Sequence, residues 1–141
     1  MNIYKTFTDY LPEIESDSFG KWVIESENTC IAENPFQMPY VSYSQMVRRF
    51  SKDVYNFVED HPEYELSKYI DILKENDITW EKKAMQKIDV SALDGKCIMA
   101  LLVGAVRAER FCDGALMSFF KDGTITKWLL RLKEISNQMK E

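Results

Sequence analysis

Histidine occurs once in this chain, at His61, and the three cysteines, Cys30, Cys97 and Cys112, stand in no CxxC spacing. A zinc site draws three or four such ligands at short spacing, so no metal and no cofactor is expected. Glycine is scarce, at five residues, and none falls in a phosphate-cradling loop, a dinucleotide fingerprint or a GxSxG elbow. Positive charge is not in surplus either. A net charge of −5 argues against a general nucleic-acid binder, which must meet phosphates with a basic surface. The longest uncharged apolar run, 97–106, spans about 15 Å as a helix, whereas a bilayer core needs roughly 20 apolar residues. With no window resembling a signal peptide, a cytoplasmic protein without a membrane span is expected, its cysteines reduced and read as small buried hydrophobes.

What is present describes a folded domain. At 141 residues, 45% hydrophobic and 29% charged, the chain has ordinary globular composition and the length for a single core, so 1–141 reads as one domain. The apolar run lies within 91–110, which reads as a central helix buried on most sides, with Ser91 as its N-cap and Asp94 in its first turn. Ala100, Gly104 and Ala108 recur every four residues and make a strip of small side chains. Such a strip admits a second helix at close range or, alternatively, floors a ligand groove. The net negative charge comes from the first quarter of the chain. Residues 1–40 carry seven acids against two lysines, while the other 101 residues balance 16 acids with 16 bases.

The acidic part, 1–42, is also where β structure is expected. Residues 4–15 suit a short helix or an extended arm interrupted by Pro12. The β-branched segments 21–25 and 28–33 can pair as a hairpin, and 40–43 can add a third short strand. From 43 to 141 the pattern is helical. Ser42 and Gln45 form a capping-box pair ahead of Met46, Val47, Phe50, Val54, Phe57 and Val58 at helical spacing. Leu66, Tyr69, Ile70 and Leu73 mark a second helix over 63–75, and 80–87 is a helical turn or connector. A short helix over 115–121 and a final one capped by Thr124 follow, the last with Ile125, Trp128, Leu129, Leu132 and Ile135 in one stripe and a frayed tail from Ser136. The fold class is therefore α+β and predominantly helical, with about five helices around 91–110 and a small antiparallel β element near 20–42.

The one polar cluster that directly follows the apolar run is Arg107, Glu109, Arg110 and Asp113. Charges there must reach solvent or partners, because an unpaired buried charge is too costly. On a structural reading the arginines sit at the negative end of the helix, Arg110 pairs with Asp113, and Glu109 meets a base such as Lys127 or Arg131. On a functional reading Arg107 and Arg110, three apart, share a face and bind a carboxylate or phosphate, with Glu109 positioning them. His61, beside Pro62 in a break between helices, reads as a surface turn residue.

The segment 105–135, AVRAERFCDGALMSFFKDGTITKWLLRLKEI, resembles a family of small uncharacterised microbial proteins classed as a domain of unknown function. The shared pattern is AVRAERFxxGxxxxFxxxGxIxxWLxRL, with a looser likeness at PYVSYSQMVRRF (39–50). The resemblance implies no activity. It places Arg107, Glu109, Arg110, Phe111, Gly114, Gly123 and Trp128 inside the pattern. The expected function is a non-enzymatic interaction or regulatory domain, whose acidic first quarter can meet a basic partner and whose exposed aromatics, such as Phe36, Tyr40 or Tyr64, should form a patch. A homodimer on that patch is one form of it. The alternative is a small anionic-ligand-binding protein or enzyme using Arg107 and Arg110.

Overall fold

The structure, a computed structural model, describes residues 3–23, 40–112 and 114–139. In chain order the elements are α1 (Lys5–Thr8), α2 (Leu11–Ser16), β1 (Gly20–Val23), β2 (Tyr40–Tyr43), α3 (Gln45–Asp60), α4 (Tyr69–Glu75), α5 (Lys82–Lys87), α6 (Gly95–Ala108), α7 (Ala115–Lys121) and α8 (Thr124–Met139). Short 3-10 turns occupy Pro62–Tyr64, Leu66–Lys68 and Val90–Ala92. The fold is α+β and predominantly helical, with a two-stranded antiparallel sheet. Helices beyond the expected five come from the stretches that read as an arm or a connector, which form α1, α2 and α5.

The buried centre is α6. Every residue from Cys97 to Val106 is buried, and α3, α4, α7 and α8 all pack on it. It starts later than Ser91. The Asp94 carboxylate accepts the Cys97 N–H at 2.9 Å and caps the helix, while Ser91 lies in the preceding 3-10 turn, closed by Asp89. A carboxylate is both an N-cap acceptor and a charge suited to the positive end of the helix. A similar shift occurs at α3. Ser42 is spent in the sheet opposite Lys21, and Ser44 caps the helix by accepting the Val47 N–H at 3.3 Å. One buried cluster then runs from Tyr4 and Phe7 through Phe50, Leu73 and Leu101 to Trp128 and Leu132.

The sheet pairs Gly20 with Tyr43 and Val23 with Tyr40. Gly20 has φ +136°, and a Cβ there would lie 2.3 Å from the Ser42 carbonyl oxygen, so only glycine fits. Asp17 fixes this corner by accepting the Phe19 N–H at 2.8 Å and the Ser44 hydroxyl at 2.7 Å. The expected 21–25 with 28–33 hairpin falls mostly outside the described residues, as do Cys30 and Phe36 and the side chains of Trp22 and Tyr40. Within them, β2 is the strand that pairs with β1.

The single helix expected over 63–75 is divided. Glu65 is left-handed at φ +51° between two 3-10 turns, and α4 starts only at Tyr69. Leu66, Tyr69 and Leu73 are buried as their spacing requires, but Ile70 is 44% exposed. Asp77 closes α4 with φ +61°. Its N–H bonds to Lys74 O at 3.0 Å and the Ile78 N–H to Leu73 O at 2.9 Å, the paired closure normally built on glycine. That closure turns the chain back and sets Trp80 over α6. At the other end of the chain, α8 does not fray at Ser136. It continues to Met139, and Ser136 is 4% exposed because it continues the inward stripe. Among the described residues, no helix is long and apolar enough to cross a membrane.

Candidate functional site

The four polar residues after the apolar run do not act together. Arg107 lies in the last turn of α6, and its guanidinium carbon stands 5.8 Å from the Tyr55 ring centre and 5.9 Å from that of Tyr69. The planar cation thus lies over one ring from α3 and one from α4, a stacking contact that arginine makes better than lysine. Its Nε is buried and has no hydrogen-bond partner among the described residues. No carboxylate among them reaches the guanidinium of Arg107 or Arg110. Arg110 is exposed, and its backbone N–H closes a turn on Arg107 O at 3.1 Å. Burial pushes the Tyr69 hydroxyl above its ordinary value, and the nearby charges of Arg107 and Arg110 work against that rise.

Glu109 serves the fold instead. Its Oε2 accepts the Gly114 N–H at 3.0 Å, its Oε1 accepts the Leu116 N–H at 3.0 Å, and the Tyr43 hydroxyl donates to Oε1 at 2.5 Å. Tyr43 Oη in turn accepts the Met117 N–H at 3.1 Å. The carboxylate caps α7, whose own N-cap residue, Gly114, has no side chain to do so. Neither expected partner of Glu109 meets it. Lys127 donates to the carbonyls of Gln86 and Ile88 at 2.9 and 3.1 Å, and Arg131 to that of Leu93 at 2.9 Å. Both bases hold the segment from the end of α5 to the start of α6, and Glu109 is at the far end of α6. Asp113, and with it the expected Arg110–Asp113 pair, lies outside the described residues.

Beside the two arginines is an aromatic surface that periodicity did not reveal. Phe111 is 77% exposed. Its ring meets Trp80 edge-on at 5.7 Å, and Trp80 meets Tyr69 edge-on at 5.3 Å. Trp80 Nε1 donates to Gly104 O at 3.1 Å. A Cβ on Gly104 would stand 3.1 Å from Met85 Cε and 3.2 Å from Trp80 Cδ1, so the small strip admits the indole and α5 at close range. Trp80→Phe removes this bond along with some packing. A loss of about 1–2 kcal/mol is expected in denaturant unfolding, and an unchanged midpoint would mean that the indole bond carries no stability.

Two crevices flank Trp80. One, of about 260 Å³, is bordered by Glu81, Met85, Ala108, Phe111 and Phe119. The other, of about 400 Å³, lies between Ile70, Asp77 and Ile78. Neither is lined by Arg107 or Arg110. Ala108 thus ends the small strip on the floor of an apolar crevice.

A family model described as a family of unknown function (DUF6508) matches residues 4–138. The chain belongs to this family. The match extends well beyond the C-terminal third in which the resemblance was read. No curated protein and no solved structure matches the chain.

Membership in DUF6508 brings no activity, so the site rests on geometry. Of the expected residues, Arg107 stands against Tyr55 and Tyr69, Arg110 is exposed beyond the end of α6, Glu109 faces α7, and Asp113 is not described. Tyr55, Tyr69 and Trp80 were missed as neighbours because they come from α3, α4 and the loop after α4. Phe111 had a signal, an aromatic residue in the polar exit turn RFCDG. The aromatic patch expected at Tyr64 is absent there, since that ring is half-buried against Phe57 and its hydroxyl bonds to Tyr4 at 2.7 Å. His61 is likewise half-buried, stacked on Phe57 at 4.2 Å with Nδ1 3.1 Å from Glu63. Cys97 is buried, and that burial pushes its thiol up to about 12, whereas Cys112 is exposed rather than buried. Among the described residues, no three His, Cys, Asp or Glu side chains form a metal-holding group.

Proposed function

We propose that the chain is a single-domain, non-enzymatic interaction module of the cytoplasm that takes an acidic protein segment at the C-terminal end of α6. The observation that carries this is Arg107, set against the Tyr55 and Tyr69 rings, with the exposed Arg110 three residues on and no carboxylate among the described residues on either guanidinium. An incoming carboxylate would make charge-assisted, bidentate bonds there, and Phe111 and Trp80 offer an apolar side chain of the same segment a place to pack. The Arg107 guanidinium is already ordered against two rings, so less rotamer freedom is lost on binding. A small anionic ligand is the second reading, resting on the same two guanidiniums, neither of which meets a carboxylate among the described residues.

The test is a heteronuclear titration of the chain with a short acidic peptide containing one phenylalanine, beside citrate and inorganic phosphate. The peptide is expected to shift the Trp80 indole and the Arg110 and Phe111 amides. Arg110→Ala should weaken it by about tenfold or more while leaving the melting temperature in place. Saturable shifts from citrate or phosphate alone, lost in Arg110→Ala, would favour the small-ligand reading. No shift from any of the three, or shifts that survive Arg110→Ala, would remove the site.

A further inference from the structure

We infer that the partner at this face is a second copy of the chain, docked about a two-fold axis. The inference rests on reading the α6 exit as an interaction surface and names its occupant. A two-fold interface is isologous, so the patch must complement itself in both shape and charge. This patch does. The crevice beside Phe111 is rimmed by the exposed Glu81 and Lys82, the exposed Arg110 directly precedes Phe111, and the crevice beyond Trp80 adds Lys74 and Asp77. Neither Glu81 nor Asp77 meets a cation among the described residues. Shape follows the same rule, with a projection and a recess side by side. Phe111, 77% exposed, projects at the edge of the crevice of about 260 Å³ floored by Ala108, Met85 and Phe119.

Seating Phe111 of one copy in the crevice of the other carries the adjacent Arg110 to the rim, where Glu81 precedes α5. The two-fold repeats that contact, so two arginines face two glutamates. Ile70, 44% exposed on the far side of Trp80, extends the apolar area.

Sedimentation equilibrium on the full chain, from low to high micromolar concentration, tests this. Wild type is expected to dimerise reversibly. Phe111→Ser, Arg110→Glu and Glu81→Arg should each weaken the dimer by about tenfold or more, with circular dichroism and melting temperature unchanged. An equimolar mixture of Arg110→Glu and Glu81→Arg should dimerise again, because in that hybrid each reversed charge faces the other. A wild type that stays monomeric throughout overturns the inference, as does a mixture that fails to re-form the dimer. Binding of the acidic phenylalanine peptide separates the two ideas. If wild type is monomeric and the peptide still binds through Arg110, the module stands and only its partner is wrong. If neither occurs, both fall.

Discussion

Glu109→Ala is expected to destabilise the protein by roughly 2–4 kcal/mol, because it removes the acceptor for the Gly114 and Leu116 N–H groups and for the Tyr43 hydroxyl together. Losing an N-cap alone costs about 1 kcal/mol. Here the same carboxylate also ties β2 to the start of α7, a helix of seven residues that cannot hold itself in isolation. Against a total stability of about 5–15 kcal/mol, the midpoint of thermal unfolding should fall by roughly 6–15 °C. Glu109→Gln keeps an acceptor oxygen but not the charge, so about half that loss is expected. Tyr43→Phe leaves the carboxylate on its two amides and removes the acceptor of the Met117 N–H, for about 1–2 kcal/mol. The double variant should cost less than the sum, because the two residues share one network. If Glu109→Ala unfolds like wild type, the capping role is wrong and that carboxylate is free to serve the arginines.

Gly95→Ala is expected to cost roughly 2–3 kcal/mol, opposite in sign to the usual gain from replacing glycine in a helix. A Cβ at this position would lie 2.0 Å from Tyr4 Oη and 2.5 Å from its Cζ. The phenol is the far end of a side chain, yet it has little room to yield. Tyr4 is buried, stacks on Phe57 at 6.1 Å and bonds to Tyr64 Oη. Burial first, and then the Tyr64 bond, raise its hydroxyl above the ordinary value, the mark of a phenol held neutral in place. A Tyr4→Ala background removes the ring, and in it Gly95→Ala should become neutral or mildly stabilising. Equal penalties in both backgrounds, measured by denaturant unfolding, would show that the crowding lies elsewhere.

These two positions show how far the chain could be read in advance. The stripes of α3 and α8 and the apolar run of α6 were legible, because burial of one face or of all faces imposes a period on residue type. Their starts were less so. Ser91 and Ser42 are good caps by composition, but Asp94 and Ser44 take the role, because neighbouring turns and a strand had already engaged the serines. The break at Glu65 was also invisible, since Leu66, Tyr69 and Leu73 keep a helical spacing of buried residues across two short turns and a helix. Period reports which side is buried and is silent on a single left-handed residue.

For the site, the sequence by itself determined that charge gathers where the buried helix ends. The shared helical face expected for Arg107 and Arg110 does not form, because α6 stops at Ala108 and Arg110 lies in the turn beyond it. Only the tertiary structure decided that Glu109 turns away to cap α7 while Arg107 lies against Tyr55 and Tyr69. It also decided that Phe111 stands exposed beside a crevice and that Gly95 exists for a phenol ninety-one residues earlier in the chain. The reason is physical. Local spacing sets the direction a side chain leaves its helix, but a carboxylate or a guanidinium settles according to which donors and rings other elements bring to that side. Those elements are placed by the burial of surfaces far apart in sequence.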